Sequence, residues 1–171
     1  MVRDVRILGT GQLLELQRQL RAAGHENLRA SMQRRTRRAA EPLRDDLQDT
    51  VRRLVITSQG RGSGKRGGPS PTRRPLRAAI AEAIRISVRT TSGSAGARVW
   101  IDRSLLPPDL PMAVVNRLHE GRLRHPVFRN RRRWAQQTTT PLWWDRTVRA
   151  HQARITGEVE RVLDDVRRQL E

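Results

Sequence analysis

The sequence predicts an α+β fold with a long N-terminal helical arm, a small antiparallel β-hairpin or sheet, and a long amphipathic C-terminal helix. Three patterns lead there. Leu28, Met32, Ala39, Leu43, Leu47, Val51 and Leu54 recur mostly at three- and four-residue steps, the apolar stripe of one helix. Trp144, Val148, Ile155, Val159, Val162, Val166 and Leu170 draw a second stripe near the other end. Between them Ile84, Ile86 and Val88, then Val99 and Ile101, occupy alternate positions on either side of Ser92-Gly93-Ser94-Ala95-Gly96. That is the period of two half-buried strands joined by a turn.

Taken in order, Val2, Val5, Ile7 and Leu8 form a short strand or entry segment. Thr10 then precedes Leu13, Leu14, Leu16 and Leu20, with Gly24 as the stop, which marks a short amphipathic helix. The long helix starts at Glu26. Its polar side carries Arg29, Arg34, Arg35, Arg37, Arg38, Arg44, Arg52 and Arg53, and Pro42 within it should kink or divide it. Unbroken, about 30 residues reach roughly 45 Å, more than a small domain needs, so this helix is expected to lie along a neighbouring subunit or line a channel. From Ser58 to Pro75 glycines and prolines alternate with Arg61, Lys65, Arg66, Arg73 and Arg74, the composition of a mobile basic loop.

Pro75 suits the first position of a short helix running through Ala83, ahead of the hairpin. Pro107-Pro108 ends the hairpin, and Asp109 is placed to cap a helix from about Leu110 to Glu120, stopped by Gly121. Arg122 to Thr140 shows no period and reads as an ordered loop pinned by Val127, Phe128 and Trp134. Thr140-Pro141 opens the C-terminal helix, with possible interruptions near His151 or Gly157. The chain so divides into 1–57, entry segment and helical arm; 58–75, basic Gly/Pro loop; and 76–171, an α+β body with aromatic loop and C-terminal helix. All three lie in a single domain.

Composition narrows the function classes. With 35 basic residues against 17 acidic ones the net charge is +18, a field that attracts nucleic acid or acidic protein surfaces. Every basic residue but Lys65 is arginine, which follows equally from a GC-rich genome or from a need for two-point grips on phosphate. Cysteine is absent, so disulfides and thiolate metal sites are excluded. Met1 to Arg6 holds no apolar signal core, and no run approaches the ~20 apolar residues that span a bilayer; a soluble protein without a visible export signal is expected.

No catalytic constellation emerges. Gly60-Arg61-Gly62-Ser63-Gly64-Lys65 imitates a phosphate-binding loop, but Gln59 stands where its first glycine belongs and Arg66 where a magnesium-holding hydroxyl belongs. His119, Glu120 and His125 lack the four-residue histidine spacing of a helical zinc site. Asp45, Asp46, Asp49, Asp164 and Asp165 sit among arginines and read as surface ion pairs. Arg129, Arg131, Arg132 and Arg133 beside Phe128 and Trp134 form a basic patch with interleaved aromatics. It is compatible with stacking on single-stranded nucleic acid, although such a pattern more often marks a solvated loop whose aromatics anchor it to the core. No enzyme and no cofactor are expected.

One segment is distinctive. Leu118-His119-Glu120-Gly121 is followed by Arg124-His125-Pro126-Val127-Phe128, then Asn130-Arg131 with Trp134, then Pro141 with Trp143-Trp144. Together with Leu76-Arg77-Ala78-Ala79-Ile80-Ala81 before the hairpin, this order resembles the tail-completion family of long-tailed bacteriophages, in the version common among phages of actinobacteria. It departs at Arg129, where relatives often carry glycine, and at Pro69-Ser70-Pro71-Thr72. The resemblance implies a structural subunit at the head–tail neck of a virion, assembled in the host cytoplasm into a ring, expected to be a hexamer, around the DNA channel. Its partners would be further copies of itself, the tail terminator and tail tube proteins, and the connector below the portal, with no membrane involved. His125, Pro126, Val127, Phe128, Trp134, Trp143 and Trp144 would hold the fold and an intersubunit contact. Arg34, Arg35, Arg37, Arg38, Arg61, Lys65, Arg66, Arg73, Arg74, Arg131, Arg132 and Arg133 would face packaged DNA or an acidic partner. The rival expectations are a tail terminator subunit and a free-standing, non-enzymatic nucleic-acid-binding protein.

Overall fold

A computed structural model describes residues 5–8, 15, 18–20, 22, 24, 26–58, 76–89, 96–127 and 130–168. It is an α+β structure in which the two long helices form the spine. Helix α1 (Glu26–Arg53) buries Met32, Thr36, Ala40, Leu43, Leu47 and Val51. The stripe therefore passes through Ala40, with Ala39 half-buried beside it. Thr36 is tolerated there because its hydroxyl donates to the Met32 carbonyl at 2.9 Å, leaving no buried donor unmet. Pro42 does not divide the helix, which is continuous from Glu26 to Arg53. The proline removes the N–H that would reach the Arg38 carbonyl, and Arg38 lies exposed, where water can replace that bond.

The second long helix, α4 (Trp143–Arg168), buries Trp143, Trp144, Ile155, Val159, Val162, Leu163 and Val166 and is interrupted neither at His151 nor at Gly157. It packs along α1 of the same chain. Cross-links give the direction: Arg35 Nη1 meets Asp165 Oδ2 at 2.7 Å, His151 Nε2 meets Asp46 Oδ2 at 2.9 Å, and the Thr50 and Thr147 hydroxyls are 3.3 Å apart. As the α1 number rises the α4 number falls, so the pair is antiparallel. The apolar stripe of α1 thus finds its partner, α4, within the same chain.

Ahead of α1, Glu15, Arg18 to Leu20 and Ala22 are helical, Leu20 is fully buried, and Gly24 turns the chain with a φ of 70°. Leu13, Leu14 and Leu16 lie outside the described residues, as do residues 59–75.

The first sheet has the order β1 (Val5–Leu8), β4 (Gly96–Ile101), β3 (Ile84–Arg89), all antiparallel. The predicted hairpin is present, with Ile84 opposite Ile101, Ile86 opposite Val99 and Val88 opposite Ala97. These residues share one face, and α1 covers the sheet. Helix α2 (Leu76–Ala83) leads directly into β3, and Arg77 clamps it to the end of α1 by donating to the Leu54 carbonyl at 2.7 Å. After β4, Asp102 caps a single 3-10 turn, accepting from the Ser104 N–H and hydroxyl at 3.0 and 2.7 Å.

Helix α3 (Met112–His119) begins later than expected, and Pro111 rather than Asp109 stands at its cap position. A residue before proline is pushed out of the helical region, so Leu110 cannot be helical and Asp109 is stranded upstream. Gly121 does stop the helix, at φ 84°. The larger correction follows it. Arg122 to Thr140 is no loop pinned by aromatics but a second hairpin, β5 (Arg122–Val127) with β6 (Asn130–Thr138), irregular between Pro126 and Val127. The two-residue strand β2 (Thr57–Ser58) pairs with the end of β6, giving the order β2-β6-β5. Ser58, expected as the first loop residue, is thus a strand residue opposite Gln137. Finally, α4 starts at Trp143 and not at Thr140, because Leu142 adopts φ 58° and donates its N–H to the His119 carbonyl at 2.7 Å. One apolar cluster runs from Leu20 to Val166 through helices and both sheets.

Candidate nucleic-acid interface

Gly121 and Leu142 act as the two ends of a clasp at the base of the second hairpin. The Gly121 N–H donates to the Leu118 carbonyl at 3.2 Å, and its carbonyl accepts from Thr139 at 3.1 Å. A Cβ at position 121 would lie 2.9 Å from the Thr139 carbonyl oxygen and 3.0 Å from Pro141 Cβ. Glycine is required there both by φ and by space.

Beneath the clasp sits the aromatic junction. Trp143 and Trp144 are 2% and 1% exposed, and their rings meet edge to face at 5.7 Å. His119, 1% exposed, meets Trp143 at 6.2 Å in the same manner. Its Nε2 lies 3.5 Å from Asp145 Oδ2, too far for a strong hydrogen bond. Burial holds the His119 pKa below the ordinary imidazole value, with the Asp145 carboxylate opposing the shift. Both tryptophans are therefore buried within the chain.

Above the clasp the hairpin shows the opposite character. Cross-strand pairing sets Arg122 opposite Thr138, Arg124 opposite Gln136, and Pro126 opposite Trp134. Since side chains alternate along a strand, these residues share one face, and Arg122, Arg124, Trp134 and Gln136 are exposed on it. Trp134 is 45% exposed, not an anchor in the core, and the Arg124 guanidinium lies over its ring at 4.7 Å. Arg132, also exposed, precedes it on β6. An open groove of about 590 Å³ runs beside this face, lined by Arg117 and Glu120 from the end of α3, by Arg122 and Arg124, and by Gln136 and Thr138. From Gly121 to Trp144 the chain has six arginines and no aspartate or glutamate, so Glu120 is the single carboxylate on this groove's lining.

Two other basic grooves differ in their acids. One, of about 360 Å³ between α1 and α4, sets Arg35, Arg38, Arg154 and Arg161 against Glu158 and Asp165; Arg35 and Arg161 are already paired to those carboxylates at 2.7 and 2.9 Å. The other, of about 470 Å³, brings Arg37, Arg44 and Arg85 to Trp100 and Asp102, with the Arg98 guanidinium 5.0 Å from the Trp100 ring centre. Asp45, Asp49 and Asp165 all sit in arginine pairs at the surface.

Of the residues singled out by sequence, Arg34, Arg37 and Arg38 are exposed on α1 and Arg35 is held by Asp165. For His125, Pro126, Val127, Arg131 and Arg133 the described feature is the strand backbone. Phe128, Arg129 and the basic loop residues Arg61, Lys65, Arg66, Arg73 and Arg74 lie outside the described residues. Arg117, Arg122 and Gln136 were not singled out, and Arg124 entered only within the segment that carries the resemblance. The signal that could have found them is the run free of acids, flanked by Glu120 and Asp145. Among the described residues no group of three or more His, Asp or Glu side chains could hold a metal ion, and no described helix is long and apolar enough to cross a membrane.

Comparison with protein-family models, with curated proteins and with solved structures finds no significant match.

Proposed function

We propose that the chain is a structural, non-catalytic subunit of the head–tail joint of a long-tailed bacteriophage. In this reading copies of it form a ring, with six-fold symmetry expected, around the channel through which DNA leaves the head. Its neighbours are the tail terminator and tail tube on one side and the connector on the other. The observation that carries the reading is the segment from Leu118 to Trp144. Its residues resemble the tail-completion family, and they form one connected unit of helix end, glycine clasp, basic hairpin and buried tryptophan pair. A net charge of +18 suits a body placed against packaged DNA, since a field of that size draws polyanions over several ångströms of solvent.

The test is genetic. Disrupting the gene in its phage genome is expected to leave filled heads beside separate tails of normal length in electron micrographs of the lysate. Abnormally long tails would assign the chain to the tail terminator instead, and intact infectious particles would overturn the joint reading altogether.

A further inference from the structure

We infer that the outward face of the β5–β6 hairpin is a binding site for single-stranded nucleic acid, with a base stacked on Trp134 and phosphates held by Arg117, Arg122 and Arg124. The inference stands on the hairpin alone and does not require the chain to sit in a virion.

Three features of the face select this occupant. The first is charge: three arginines line the groove against one carboxylate, Glu120, and Arg132 is exposed next to it. The ligand is therefore a polyanion. The second is Trp134, a large indole left 45% exposed on a face whose other described side chains are Arg122, Arg124, Gln136 and Thr138. A protein partner would be met by an apolar centre with a polar rim, and the described side chains of this face form no such centre. A nucleobase needs just one flat aromatic surface. The third is the Arg124 guanidinium at 4.7 Å from the ring centre, which restrains the indole on one side and enriches the stack electrostatically. The Gln136 amide, opposite Arg124 in the register, supplies both a donor and an acceptor for the base edge. A duplex keeps its base faces stacked on one another and leaves the indole without a stacking partner, so the strand must be single.

The experiment uses the full chain and a labelled single-stranded DNA of about 16 nucleotides, near the upper site size of one sheet-based binding module, read by fluorescence anisotropy over a salt series. Trp134→Ala is expected to weaken binding roughly tenfold or more, the scale of one lost base stack, while Trp134→Phe retains most of the affinity. The double variant Arg122→Glu, Arg124→Glu keeps the indole and is expected to reduce the salt slope by about 1.4, two phosphate contacts on a single strand. Circular dichroism of each variant establishes that the fold persists. Trp134→Ala binding as tightly as wild type would overturn the stacking site. Equal affinity for a duplex of the same length would also overturn it, and displacement by polyglutamate as effective as by unlabelled DNA would reassign the face to an acidic protein.

Discussion

In the β3–β4 hairpin, Ile84, Ile86, Val88, Ala97, Val99 and Ile101 line one face and α1 covers it. In the β5–β6 hairpin Leu123 is buried, while Arg122, Arg124, Arg132, Trp134 and Gln136 stand in solvent. The first hairpin is held by what its side chains bury. Among the described residues the second buries Leu123 and is tied down at its base, by the Gly121 clasp, the Leu142 turn and the two-residue pairing with β2. The difference separates two uses of the same topology. A strand pair fixed by backbone and hinge geometry can dedicate its side chains to the outside, whereas one fixed by an apolar face cannot.

The contrast can be broken most strongly at the cores. Ile84→Ala, at a position 1% exposed, is expected to cost about 2–5 kcal/mol in chemical denaturation. Trp134→Ala, though it deletes far more side chain, should cost less, about 1 kcal/mol, because the residue is 45% exposed and its described contact is the Arg124 guanidinium. Equal losses would show that the second hairpin also depends on its side chains. Next in size is Gly121→Ala, expected to cost about 1–3 kcal/mol from positive φ and the crowding at Thr139 and Pro141. Amide exchange should place the opening first in β5 and β6; a uniform loss across both sheets would contradict a local clasp.

The smallest effect concerns pH. The folded state disfavours the charged form of His119 because the ring is buried, so its pKa lies below the ordinary imidazole value of about 6.5. The unfolded chain therefore binds the proton more readily. Stability from this residue is unchanged above about pH 6.5 and falls as pH drops below it, by at most roughly 1.4 kcal/mol per pH unit. Denaturation midpoints of wild type and His119→Leu, compared between neutral and mildly acidic buffer, should diverge in slope. Parallel curves would mean that the ring is solvated enough to titrate normally.

The parts legible in sequence were those with a period. The α1 and α4 stripes and the β3–β4 alternation are one-dimensional records of burial, and the structure follows them closely. Asp109 looked like a helix cap until the constraint from Pro111 is considered, and Pro42 looked like a break although the exposed turn before it absorbs the lost bond. The second hairpin was illegible because arginine and glutamine occupy its outward positions while Pro126 disrupts its register, leaving no apolar alternation to read. For the same reason Trp134 looked like an anchor alongside Trp143 and Trp144. Their opposite fates depend on strand parity and helix phase, which become visible once the elements are assigned.

The antiparallel pairing of α1 with α4 also sets a timetable. Arg35 and Asp165 are 130 residues apart in the chain, and the last turn of α4 leaves the ribosome about 115 residues after α1 is complete. At ordinary elongation speeds of ~5–20 residues per second that is an interval of roughly 6–23 s. Throughout it the stripe of Met32, Leu43, Leu47 and Val51 has α2 and the first sheet to pack on but lacks the full length of α4. The dense arginines along the opposite side of α1 then keep nascent chains apart by charge, so the basic face protects the apolar one that must wait for α4.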